Sequence, residues 1–194
     1  MMPIKNIYIK NNDVISDDEI INTASLYKYP SFLLTKKNQL EKDLEKNAYI
    51  KECKVKKKLK NIIEITITEY KVIALTPEEK IILENGDILD NDYNINDIPT
   101  LINTIENKEV IKNFTSKFGQ IDKNILRQIS QIEYTPVTVD DERFLLYMND
   151  GNLVYITLTK INKLNKYNHI KDKLEGKKGV IYLDSGNYVE VKKI

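Results

Sequence analysis

The sequence is short of the residue types on which most site chemistry depends. One cysteine, Cys53, occurs in 194 residues, which excludes an intramolecular disulfide and a cysteine-built zinc site. It lies in the alternating run from Ile50 to Val55 and reads as a small buried hydrophobe rather than a reactive thiol. The one histidine, His169, falls on the polar side of a helical pattern and has no nucleophile-elbow context, so a Ser-His-Asp site has no footing. Six glycines are scattered singly, with no G-x-G-x-x-G and no phosphate loop. The acidic clusters Asp90/Asp92 and Asp140-Asp141-Glu142 lack the twelve-residue loop of an EF-hand and read as solvated loops. No metal or cofactor is expected, and the absence of a catalytic constellation points to binding rather than to an enzyme.

Long apolar runs are missing as well. No stretch approaches the ~20 residues needed to cross a bilayer. No signal peptide precedes the first strand pattern, and Met1-Met2-Pro3 leaves room for an upstream segment. As it stands, the chain reads as soluble. The net charge is +1, without the basic excess of a general nucleic-acid binder.

That near-neutral total hides a pattern. Residues 1–76 carry 14 Lys+Arg against 10 Asp+Glu, residues 77–150 carry 7 against 15, and residues 151–194 carry 9 against 4. A basic–acidic–basic order results, and the sign change is expected to mark a domain boundary near residue 75. The densest basic run, Lys54, Lys56, Lys57, Lys58 and Lys60, has two readings. Lysines on a sheet discourage edge-to-edge aggregation; alternatively they contact anionic lipid headgroups or an acidic partner. No aromatics interleave them, so single-strand nucleic-acid binding is not indicated.

The first segment reads strand–helix–helix–strand–strand. Ile4 to Lys10 is a β-branched run closed by the turn cluster Asn11-Asn12-Asp13. Ser16-Asp17-Asp18-Glu19 is a capping box before a short helix with Ile20, Ile21 and Ala24. Leu40 and Leu44 carry a second helix; Ile50 to Lys58 then alternates as a strand, and Lys60-Asn61 turns into Ile63, Ile65 and Ile67.

Beyond Val72 strands dominate. Asn85-Gly86-Asp87 between Ile81-Ile82-Leu83 and Ile88-Leu89 predicts a hairpin. Val110, Ile111, Phe114 and Phe118 fall at helical spacing, with Gly119 placed to end that helix. A further helix is expected from Ile121, Ile125, Leu126, Ile129 and Ile132, followed by strands at Thr135–Val139, Phe144–Met148 and Leu153–Leu158. Ile161, Leu164, Tyr167, Ile170 and Leu174 trace another helix, and Val180 to Val191 forms a closing hairpin about Asp184-Ser185-Gly186-Asn187.

The order β–α–α–β–β, with Ile7 to Ser16, Tyr49 to Val55 and Ile63 to Ala74 as its punctuated segments, resembles the polypeptide-transport-associated (POTRA) domain. Leu83-Glu84-Asn85-Gly86-Asp87-Ile88-Leu89, Ile98-Pro99, Ile129 to Ile132, Met148-Asn149-Asp150-Gly151 and Gly179 to Gly186 resemble the β domain of the FtsQ/DivIB family. The implied fold is α+β: a POTRA domain over residues 1–73 and a strand-rich, mainly antiparallel domain with packed helices over 74–194.

The family implies a single-pass protein of the cell membrane, its transmembrane helix absent from this sequence, with these domains outside the cell at the division septum. It further implies a divisome scaffold that helps recruit and regulate septal peptidoglycan synthesis. The implied partners are DivIC/FtsB-type and FtsL-type bitopic proteins and other divisome members. A partner strand is expected to add to the C-terminal edge. The candidate contacts are Val180, Ile181, Tyr182, Leu183, Asp184, Tyr188, Val189 and Val191, with Tyr182 and Tyr188 as aromatic anchors. A POTRA-bearing protein of outer-membrane assembly or secretion is the alternative; it predicts further POTRA repeats or a β-barrel.

Overall fold

The computed structural model describes Met2–Val191; Met1 and the last three residues lie outside it. The chain divides into two compact units, one up to Tyr70 and one from Lys71 onward.

The first unit runs β1 (Asn6–Lys10), α1 (Asp17–Thr23), α2 (Lys37–Leu44), β2 (Ile50–Lys58) and β3 (Ile62–Glu69). Its sheet has the order β1-β3-β2, with β1 parallel and β2 antiparallel to the central strand. Because side chains alternate along a strand, the registers Ile7↔Ile63, Val55↔Ile65 and Cys53↔Ile67 put one set of apolar residues on one face. Ile63, Ile65, Ile67, Cys53 and Val55 are buried there, as are Ile20 of α1 and Leu40 and Leu44 of α2. Burial, with Glu41 and Glu45 nearby, pushes the Cys53 thiol up to about 12, so no thiolate forms at neutral pH.

Local polar pairing fixes the entry to α1. The Ser16 hydroxyl accepts from the Glu19 amide at 3.2 Å. The Glu69 carboxylate, at the end of β3, accepts from the amides of Asp13, Val14 and Ile15 at 3.1, 2.8 and 3.0 Å. One side chain thus satisfies three loop amides that no ladder reaches. The β2–β3 turn uses positive φ at Lys60 (63°) and Asn61 (58°), a twist that matches the hairpin.

The second unit comprises β4 (Val72–Leu75), β5 (Ile81–Leu83), β6 (Ile88–Leu89), β7 (Thr100–Leu101), α3 (Lys108–Phe118), α4 (Lys123–Leu126), β8 (Ile129–Tyr134), β9 (Arg143–Met148) and β10 (Leu153–Thr157). A 3-10 stretch, Leu158–Lys166, leads into α5 (Tyr167–Asp172), and β11 (Gly179–Tyr182) and β12 (Tyr188–Val191) end it. The nine strands form one sheet in the order β12-β11-β10-β9-β8-β7-β4-β5-β6. The helices share one core with one face of that sheet. Phe114 and Phe118 of α3 meet Phe144 of β9 at centroid distances of 5.3 and 5.9 Å, and Ile161, Leu164 and Tyr167 join Val154, Ile156 and Ile181. β10 and β11 are parallel, so a crossover is required, and the 3-10 and α5 segments supply it.

Two expectations for single elements are corrected. Ile121 to Ile132 is not one helix: α4 stops at Leu126 and β8 begins at Ile129. The register of β8 on β9 shifts between Ile129 and Gln131, and this bulge turns both Ile129 and Ile132 inward. A bulged strand therefore imitates helical spacing. Thr135–Val139 is a loop with a single bridge, Val137↔Asp140; Val139 is 94% exposed, so its β-branched residues have no sheet face to cover.

Candidate partner-binding edge

β12 is the outermost strand of the nine-stranded sheet, held only by β11 through the register Ile181↔Val189 and Tyr182↔Tyr188. Its outward groups follow from alternation. The Leu183 amide donates to the Tyr155 carbonyl of β10 at 2.8 Å, so the odd-numbered main-chain groups of β11 point to β10. Val180 and Tyr182 then pair with Glu190 and Tyr188. Val189 and Val191 are left with their N–H and C=O on the free side, where no described residue takes them. β11 is paired on both sides, and Ile181 and Leu183 are buried in the core. These two turn their side chains to the core side, and the free main-chain groups of the hairpin are those of β12.

The hairpin is braced from below and above. The Asn152 carboxamide accepts from the Gly179 amide at 2.9 Å and donates to the Tyr167 hydroxyl at 3.0 Å; that hydroxyl contacts Asp150 at 2.8 Å. A Cβ on Gly179 would lie 2.6 Å from the Glu190 carbonyl oxygen, so only glycine lets β12 close on β11 here. Burial opposes ionisation of Asp184, yet the Arg143 guanidinium at 2.7 Å and the Ser185 amide hold its carboxyl below the usual range. Asp184 is thus committed to its own sheet, with the Lys160 ammonium on its carbonyl.

On the face away from the helices the tyrosines form a ladder. Tyr155 stacks on Tyr182 at 5.4 Å and Tyr182 on Tyr188 at 4.5 Å, with interplanar angles of 19° and 12°. The Arg143 guanidinium caps the row 3.9 Å from the Tyr155 centroid. Tyr188, at the free edge, is 47% exposed. Tyr155 and Arg143 escaped the sequence reading. The signal lay in the alternation of β9 and β10, but only the register β10–β11–β12 puts the three rings in line.

On the opposite side of the same hairpin lies a cleft of about 520 Å³. Ile170, Leu174, Ile181, Leu183 and Val189 line it, with Lys163, Lys166, Lys173 and the exposed His169 around them. The edge is therefore flanked by an aromatic face and by an apolar cleft with a basic rim.

The lysine run lies in the first unit. Lys54, Lys56 and Lys58 alternate on the open face of its sheet, where Lys54 pairs with Glu52 at 2.9 Å and Lys58 with Glu64 at 2.6 Å. Lys57 turns the other way and donates to the carbonyls of Phe32 and Thr35. Lys60 sits in the β2–β3 turn.

The family model described as POTRA domain, FtsQ-type, matches residues 2–70. "Cell division protein DivIB" of Bacillus subtilis (strain 168) is 30% identical over 193 residues, covering 96% of this chain and 73% of that protein. The protein of the same name from Bacillus cytotoxicus is 31% identical over 192 residues, with 95% and 75% coverage. A solved structure of the major extracytoplasmic domain of DivIB from Geobacillus stearothermophilus aligns with 56% of this chain and 96% of its own, at 26% identity and a TM-score of 0.45.

Proposed function

We propose that this chain, which belongs to the DivIB family of cell division proteins, acts as an extracytoplasmic scaffold of the divisome. It is anchored in the cell membrane at the septum and captures a bitopic partner of the DivIC/FtsB type, together with an FtsL-type protein, by strand addition to β12. Through that complex it helps recruit and regulate septal peptidoglycan synthesis.

The observation that carries this reading is the free edge of β12. Val189 and Val191 hold unpaired main-chain groups in register for an extended peptide, which gains ladder hydrogen bonds on docking. Val180, Tyr182 and Tyr188 are surface-accessible on the aromatic face and set side-chain preference there. The lysine-rimmed cleft beneath Val189 favours a partner segment that is acidic and amphipathic. Ile181 and Leu183 line that cleft, while Asp184 is held by Arg143 at the end of the hairpin.

The test is binding of the purified chain to the extracytoplasmic region of a DivIC-type partner. Val189→Pro and Val191→Pro each remove one outward N–H while leaving the β11 pairing intact. Each is expected to weaken capture about a hundredfold, roughly 2.7 kcal/mol. Unchanged affinity in a variant whose circular dichroism and melting match wild type refutes strand addition at this edge.

A further inference from the structure

The first unit exposes large apolar side chains in two loop tips that its own hydrogen bonds hold together. Leu33 and Leu34, in the connection between α1 and α2, are 70% and 73% exposed, and Leu59, at the β2–β3 turn, is 89% exposed. Lys57 joins the tips: its ammonium donates to the Phe32 and Thr35 carbonyls on either side of the two leucines, and it lies 4.5 Å over the Phe32 ring. Asn61 in the turn donates to the Pro3 carbonyl at 3.1 Å, while the Phe32 amide donates to the Met2 carbonyl at 2.8 Å. The leucines are therefore presented on one braced end of the sheet.

Lysines outnumber carboxylates around that end, and Glu64 is already bonded to Lys10 and Lys58. Residues 27–37 and 53–63 hold eight lysines and no carboxylate. Lys36, Lys37, Lys56 and Lys60 have no side-chain hydrogen bond or ion pair among the described residues, while Lys57 is spent on the brace. Tyr27 and Tyr29 in the same connection are also exposed, the residue type that settles at membrane–water boundaries.

We infer that this end of the first unit docks on an anionic lipid surface, with Leu33, Leu34 and Leu59 entering the headgroup–acyl boundary and the free lysines meeting lipid phosphates. Leu33 and Leu34 stand clear of the protein, and Leu59 borders only an open hollow with Phe32, Lys57 and Ile62; a bilayer takes such protruding apolar tips without a matching shape. Apolar insertion and lysine attraction reinforce each other: each alone is weak, and the pair gives reversible peripheral binding. The contact is independent of β12 and its partner, and it uses residues 27–37 as well as part of the lysine run.

The chain has no tryptophan, so Leu34→Trp provides a single reporter at the tip. Its emission is expected to shift blue on phosphatidylcholine vesicles containing phosphatidylglycerol and to be quenched by lipids brominated in the acyl chain. Vesicles of phosphatidylcholine alone should give much less. In flotation with the anionic vesicles, Leu33→Ser/Leu34→Ser/Leu59→Ser and, separately, Lys36→Gln/Lys37→Gln/Lys56→Gln/Lys60→Gln should each lower binding by about tenfold or more. All seven side chains are exposed, and a melting curve checks that the fold is kept. An unchanged reporter emission overturns the inference, as does equal flotation of the leucine variant and wild type. Capture of a protein by this end without vesicle binding counts against it in the same way.

Discussion

The two units each end a sheet in an edge strand, and they treat it in opposite ways. On β2 two of the outward amides, those of Cys53 and Val55, are covered from α2 and its C-cap: Glu45 accepts from Cys53 at 3.0 Å and Glu41 from Val55 at 2.8 Å. On β12 the outward amides belong to Val189 and Val191, and no described residue accepts from them. In both strands the outward amide belongs to a residue whose side chain faces the core side, so the difference lies not in the strand but in what stands next to it. A carboxylate-capped edge is closed to a further strand, while a bare one is a template. The open faces differ in the same sense: charged in the first unit, where Glu64 lies between Lys10 and Lys58, and aromatic in the second, where Tyr155, Tyr182 and Tyr188 stack.

The strongest way to break the contrast is to uncover β2. Glu41→Ala/Glu45→Ala removes both acceptors and should destabilise the first unit by about 3 kcal/mol, read from urea unfolding. The same variant should gain self-association, because its edge then resembles β12. Hydrogen exchange sharpens the comparison without mutation. In the free chain the Val189 and Val191 amides should exchange about tenfold or more faster than those of Cys53 and Val55, and a bound partner peptide should slow the first pair only.

The aromatic face gives a smaller effect. Tyr182→Leu breaks both stacking contacts at the middle of the ladder and should cost about 1 kcal/mol of stability, measured by thermal melting. Partner affinity should fall with it if the ladder holds β12 in line.

On the charged face the effect is confined to acid. Hydrogen bonds from Lys10 and Lys58 lower the Glu64 carboxyl from the usual 4.5 to about 2. A depressed carboxylate stabilises the fold above its unfolded pKa and loses that contribution as pH falls through its folded one. The stability difference between wild type and Glu64→Gln should therefore be full above pH 4.5 and shrink between 4.5 and about 2, with salt reducing it throughout.

Much of this was legible along the chain because the cues were local. The Ser16 cap, the Lys60-Asn61 turn, the Asn85-Gly86 and Asp150-Gly151 hairpins and the alternation of Ile63, Ile65 and Ile67 each depend on residues a few positions apart. Where the reading failed, a tertiary feature had overwritten the period. The β8 bulge turned strand spacing into helix spacing, and the Thr135–Val139 run had strand propensity but no neighbour to pair with. The site was half legible: the closing hairpin and its tyrosines could be named, but not which main-chain groups were free.

The sequence by itself determined the order of elements, the turn positions, the apolar stripes and the family to which they belong. Only the tertiary structure decided that β12 lies outermost, that Ile181 and Leu183 turn inward, and that Glu41 and Glu45 reach the edge of β2. Propensity and periodicity act over a few residues, whereas strand order and the pairing of an amide across a sheet depend on segments brought together from far apart in the chain. An edge is a property of the whole sheet, and no stretch of sequence carries it alone.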